Sequence, residues 1–144
     1  MAESDFVMDN SIAMRLPLPN ETRPEIQEYA KAIINRLAEG AGVLVPNLWH
    51  VEAASVLIKA EQRGLIKKAV IDIFFEQFNA FEIETDNHLD TSAIVALARD
   101  HNLSGYDATY LHLAMRTGLP LATADNDLRT AAETAGVYLY LGGY

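Results

Sequence analysis

Acidic residues stand at four places where a chain of this pattern would gather ligands. Asp9 directly follows a short apolar run, Phe6-Val7-Met8, and Glu52 lies early in the helix that follows a second run, Val43-Leu44-Val45. Asp107 falls in the first turn of a later helix, and Asp125 just past the apolar segment from Leu119 to Ala122. Glu52 is the most informative. Its helical neighbours are Leu48, Trp49, Ser55 and Val56, so it interrupts a largely apolar face, where a carboxylate is costly unless compensated. Gathering such groups raises the cost, since two like charges about 4 Å apart repel by roughly 4 kcal/mol at a surface-like effective dielectric. Arg129 is the one cation close in sequence to Asp9 or Asp125. A hard divalent cation, Mg2+ or Mn2+, relieves the crowding, because it takes carboxylate and water oxygens and keeps positions open for phosphate.

Each acid also has a plainer reading. Asp9 fits a turn, Asp107 a favourable charge at a helix N-terminus, and Asp127 an N-cap; Asp125 fits such a role less well. Agreement among all four positions is what favours chemistry. Ser11 and Thr123 stand beside Asp9 and Asp125, where hydroxyls orient a carboxylate or bind a metal water, though both are also turn formers. The four histidines, His50, His88, His101 and His112, show no HxxxH or HxH spacing and make no zinc site. There is no GxSxG, P-loop or GxGxxG. Phe74, Phe75, Phe78 and Phe81 fall at core-like spacing, as packing residues.

The elements that must position these residues follow from local pattern. Phe6 to Met8 reads as a first strand, turning at Asp9-Asn10-Ser11 into a short helix over Ile12 to Leu16 that Pro17 and Pro19 break. Pro24 fits a first helical position, and Ile26, Tyr29, Ala30, Ile33 and Leu37 recur at helical spacing up to Gly40. Val43 to Val45 is a second strand closed by Pro46, after which Asn47 caps a helix from Leu48 to about Arg63. A third helix, Ile66 to Phe78, places Ile66, Val70, Ile73 and Phe74 on one face, and Phe81 to Glu84 alternates as an edge strand does. Asp90 or Thr91 caps a helix to His101. Ser104 caps the next, with an apolar stripe of Tyr106, Tyr110, Leu111 and Ala114, and Gly118 ends it. A strand from Leu119 to Ala122, a helix from Leu128 to Ala135 and a last strand from Val137 to Leu141 complete the chain. Such alternation predicts an α/β fold: a mainly parallel central sheet with helices on both faces, and a ligand site beyond the carboxyl ends of the strands.

Composition bounds the rest. A chain of 144 residues is expected to form one domain, residues 1–144, and half its residues are apolar. The apolar runs are far too short to span a bilayer, the N-terminus has no signal-peptide pattern, and cysteine is absent, so the expected location is the cytoplasm. The net charge of -9 argues against a broad electrostatic grip on nucleic acid, so any polyanion must be met locally.

The segments VMDNSIAM, VPNLWHVEAASVL and LSGYDATYLHLAMRTGLPLATADNDL, taken in order, resemble the PIN-domain ribonucleases, in particular the toxin component of VapBC toxin-antitoxin pairs. The resemblance spans nearly the whole chain. It implies a three-layer PIN-like domain and metal-dependent endoribonuclease activity with Mg2+ or Mn2+. Asp9, Glu52, Asp107 and Asp125 match the family's catalytic, metal-holding acids, Ser11 and Thr123 its small polar positions, and Asp127 an auxiliary acid. It further implies a homodimer whose partners are an RNA substrate and a cognate antitoxin lying across the acidic groove. The charge of -9 departs from expectation, because it offers little basic surface for RNA.

The mechanism expected is in-line hydrolysis of an RNA phosphodiester, with Arg15, Arg116 and Arg129 as candidate phosphate contacts. A receiver domain, also acidic and α/β, would need a Lys near its last strand, and none follows Lys68. A phosphatase with Asp9 as nucleophile would want an acid two residues on, where Ser11 stands. A catalytically silent PIN-like interaction module would have no need of the intact acidic set.

Overall fold

The computed structural model describes residues 3–18 and 23–144. A parallel sheet is buried on both faces, because the crossovers joining its strands lay helices over each side. The two inner strands obey this. Every residue of β1 (Phe6–Met8) and β2 (Gly42–Pro46) is buried, although successive side chains point to opposite faces. With β3 (Glu82–Asp86) and β4 (Leu121–Ala122) they form one sheet in the order β3-β2-β1-β4, all neighbours parallel. β3 is the edge strand expected, with Glu82 and Glu84 exposed and Ile83 turned toward the core.

From β1 the chain passes through α1 (Asn10–Ala13) and α2 (Pro24–Ala38) to β2, and through α3 (Asn47–Gln62) and α4 (Lys68–Asn79) to β3. It then runs through α5 (Thr91–His101) and α6 (Gly105–Thr117), crosses to the far side of β1 as β4, and continues into α7 (Asn126–Thr134). The sheet therefore grows one way from β1 through β2 and β3, and the other way through β4. The switch between β1 and β4 opens a crevice at the carboxyl ends of the strands, where ligands bind in sheets of this kind. Asp9 leaves one side of that crevice and the Thr123-Ala124-Asp125 turn leaves the other, pinned together where Asp9 N–H donates to Ala122 O at 3.2 Å.

Local chemistry explains the elements that hold the site. α2 begins with Pro24 and buries Ile26, Tyr29, Ala30, Ile33 and Leu37 along one stripe. α6 starts where Ser104 Oγ accepts from Asp107 N–H at 3.1 Å, a cap worth about 1 kcal/mol. It stops at Gly118, whose φ of 73° is the left-handed conformation that glycine adopts without a Cβ penalty. β2 approaches the N-terminal segment closely: a Cβ on Gly42 would meet Glu3 O at 3.1 Å.

Several sequence expectations are corrected. Val137 to Leu141 is not a strand: it makes one isolated bridge, Leu139 to Leu121, and then a 3-10 turn over Tyr140–Gly142 with Leu141 at φ 55°. β4 has two residues and cannot template a longer neighbour, and Tyr140 instead stacks flat on Phe6, ring centroids 3.9 Å apart. The fourth strand starts at Leu121, not Leu119. Asn47 is the first residue of α3 and caps nothing, because β2 runs straight into the helix through Pro46. α4 starts at Lys68 and buries Phe74 and Phe78, leaving Ile73 half-exposed. Tyr106 lies outside the buried stripe of α6, at 62% exposure. α1 ends at Ala13, short of Leu16, and Pro19 falls outside the described residues. Among the described residues no helix is long and apolar enough to cross a membrane.

Candidate active site

Asp9 is buried at the end of β1 and receives three hydrogen bonds. Ser11 N–H (3.1 Å) and Ser11 Oγ donate to Oδ1, and Thr123 Oγ1 donates to Oδ2 at 2.6 Å. The same hydroxyls also accept: Ala124 N–H donates across to Ser11 Oγ at 2.8 Å, and within the second loop Asp125 N–H donates to Thr123 Oγ1 at 3.0 Å. Ser11 and Thr123 thus stitch the ends of β1 and β4 together across the switch point, and they fix the Asp9 carboxylate while doing so.

Hydrogen bonds to the anion lower a carboxyl pKa, but here they lose to burial. Loss of solvent pushes Asp9 up to about 7 against the bonds from Ser11 and Thr123, and the charges of Asp107 and Asp125 push the same way. Asp107 is pushed up to about 6, first by burial, then by Asp125 and Glu52, with Asp127 adding a smaller push. The acids predicted from sequence therefore share one electrostatic neighbourhood: Asp107 feels Glu52 and Asp125, and Asp9 feels Asp107 and Asp125. Asp127 sits at its periphery.

Among the described residues no three metal-ligating side chains converge into a ready-made cage. Mg2+ does not require one, since it keeps several waters and takes one or two carboxylates. The donors present are hard oxygens, and the buried Asn10 Oδ1 beside Asp9 accepts nothing among the described residues. Such a set suits a hard divalent cation and not a soft one.

Asp125 is the N-cap of α7, its Oδ1 accepting from Leu128 N–H at 2.9 Å, and Asp127 lies in the first turn. That reverses the capping roles read from sequence. Glu52 is held by a residue the sequence reading assigned to packing. The Tyr110 hydroxyl donates to Glu52 Oε1 and accepts from Asn10 Nδ2 at 3.4 Å, while Asn10 Nδ2 also donates to Trp49 O at 2.9 Å. The Tyr110 ring is buried, and burial beside Glu52 drives its hydroxyl pKa far upward, so it remains a donor. The signal was spacing: Tyr110 lies three residues after Asp107 and shares its face of α6.

The proposed phosphate contacts fare differently. Arg116 pairs with Asp86 at 2.7 Å, and Arg129 donates to Tyr144 O and lies over the Tyr144 ring, so both are engaged elsewhere. His50 lies 2.8 Å from the Thr85 hydroxyl, at the edge of the sheet.

A family model described as the PIN domain matches residues 8–134. Among solved structures the chain is similar to PAE2754 from Pyrobaculum aerophilum, with a TM-score of 0.68 and 19% identity over 89% of this chain and 84% of that one, a likeness of fold. No curated protein matches the sequence.

Proposed function

The chain belongs to the PIN-domain family, whose fold is that of nucleases, and on that premise we propose that it is a Mg2+- or Mn2+-dependent endoribonuclease. The observation that carries this reading is the crowding of Asp9, Glu52, Asp107 and Asp125, from four separate elements, at the switch point between β1 and β4. Asp9, Asp107 and Asp125 would hold the metal, with Glu52 oriented toward it by Tyr110. A bound Mg2+ or Mn2+ would supply charge for the scissile phosphate and a water of lowered pKa.

The chain's own groups do the rest. Burial and crowding make the Asp9 and Asp107 anions costly, so these carboxylates would gain from a cation, which would hold them ionised. Ser11 and Thr123 keep Asp9 in one orientation, and Tyr110 does the same for Glu52. Hydrolysis in line, with water entering opposite the leaving ribose oxygen, needs no covalent intermediate on the protein.

The finer reading follows from the ordered motifs: the protein is the toxin of a type II toxin-antitoxin pair, a cytoplasmic homodimer whose acidic groove is closed by a cationic segment of its antitoxin. The direct test incubates labelled RNA with the protein in Mg2+, in Mn2+ and in EDTA, beside Asp9→Asn. Cleavage by the wild type in metal alone supports the reading. Full activity in EDTA, or in Asp9→Asn, would refute it. Growth arrest on induction, relieved by a small protein encoded next to it, tests the toxin assignment separately.

A further inference from the structure

α3 carries more than Glu52 on the face it turns to the site. A helix advances about 100° and 1.5 Å per residue, so Val56, Lys59 and Arg63 line up behind Glu52, Lys59 about 10 Å along the axis and Arg63 about 16 Å. Together with Arg15 and Leu18 from the segment after α1, and with Leu65, they line a cleft of about 380 Å3. Among the described residues its charged lining consists of cations alone, in a chain whose net charge is -9. Lys59 and Arg63 are exposed, and among the described residues neither has an ion-pair partner. Arg15 is half-buried and engaged within the fold, so the two exposed cations are the ones open to a ligand.

Lys59 and Arg63, beside apolar walls and on the helix face that carries Glu52, suit a strand that presents phosphates and bases in alternation. We infer that this cleft is a backbone subsite: an RNA whose scissile phosphate lies at the acidic pocket runs along α3, and phosphates a few nucleotides away meet Lys59 and Arg63. The inference rests on the ribonuclease reading and extends it. Affinity opposed by the overall charge is supplied locally, by cations kept at a distance from the carboxylates.

The test measures binding, not cleavage. A fluorescent single-stranded RNA of about ten nucleotides is titrated with the Asp9→Asn protein in Mg2+ buffer over a range of salt. Adding Lys59→Ala and Arg63→Ala should weaken binding about tenfold and flatten the salt slope by about 1.4, the expectation for two phosphate contacts on a single strand. Lys68→Ala, an exposed lysine on α4 paired with Asp72, should change neither. Equal affinity and slope in the double variant and its parent would overturn the subsite, as would an equal loss in Lys68→Ala or no RNA binding by the parent. A double variant that keeps RNA affinity but loses affinity for a polyglutamate peptide would overturn it in favour of a protein partner. Cleavage by the wild type, read separately, decides the nuclease reading whichever way the binding falls.

Discussion

Replacing Asp9 with Asn removes a carboxylate that the fold holds in its less favourable state. The ordinary value is 3.8 and the folded value about 7. Because the folded pKa is the higher, stability is full below about pH 4, falls as pH rises to about 7 and is level above that. The drop is about 3 units at about 1.4 kcal/mol each, so about 4 kcal/mol. Asn cannot lose a proton and escapes the penalty, but its amide nitrogen faces the Thr123 hydroxyl, which donates in the wild type, and that mismatch costs about 1–2 kcal/mol. At about pH 8 in EDTA the variant should therefore be more stable by about 2–3 kcal/mol and melt about 5–10 °C higher. At about pH 4, where both side chains are neutral, the order should reverse by about 1 kcal/mol. Calorimetric melts at both pH values decide it. A variant that melts below the wild type by the same margin at each pH would refute the claim that burial and neighbouring charge raise Asp9. Mn2+ should then stabilise the wild type and not the variant.

Thr123→Val deletes a hydrogen bond that lowers the Asp9 pKa, so the acidic limb of the cleavage rate profile should move to higher pH, with Thr123→Ser restoring it. Tyr110→Phe leaves Glu52 without its donor and should raise the Mn2+ concentration for half-maximal activity about tenfold, measured by metal titration, while lowering stability by about 1 kcal/mol. Gly118→Ala places a Cβ at φ 73° and should cost about 1 kcal/mol in urea melts while leaving cleavage per folded molecule unchanged, since the residue ends α6 away from the acids.

Residues whose role is local were legible in the sequence. Ser104 as cap, Gly118 as stop and the stripe of α2 follow from what a few neighbouring residues do to a helix. The crowding of the acids was also legible, because a parallel α/β order sends every strand end to one rim. Contacts between distant segments left no such trace. Tyr110 reads as one more apolar residue until α3 brings Glu52 to its hydroxyl, and Tyr140 reads as a strand residue until Phe6 offers it a flat partner. Asp125 and Asp127 could not be told apart by spacing, because either can cap; the Asp125 backbone bond to Thr123 selects the first.

Three hydrogen bonds to one carboxylate would ordinarily hold it as a comfortable anion, and at Asp9 they do not. They fix its direction, while burial and two neighbouring acids keep its charge expensive. A lysine in the crevice would remove that expense for good, and it would leave no room there for a metal cation. The chain instead stations Lys59 and Arg63 on the same helix face as Glu52, two to three turns away, where they can meet a strand without neutralising the carboxylates. The carboxylates are thus left needing positive charge, which an ion that arrives and leaves can supply while keeping a position open for substrate.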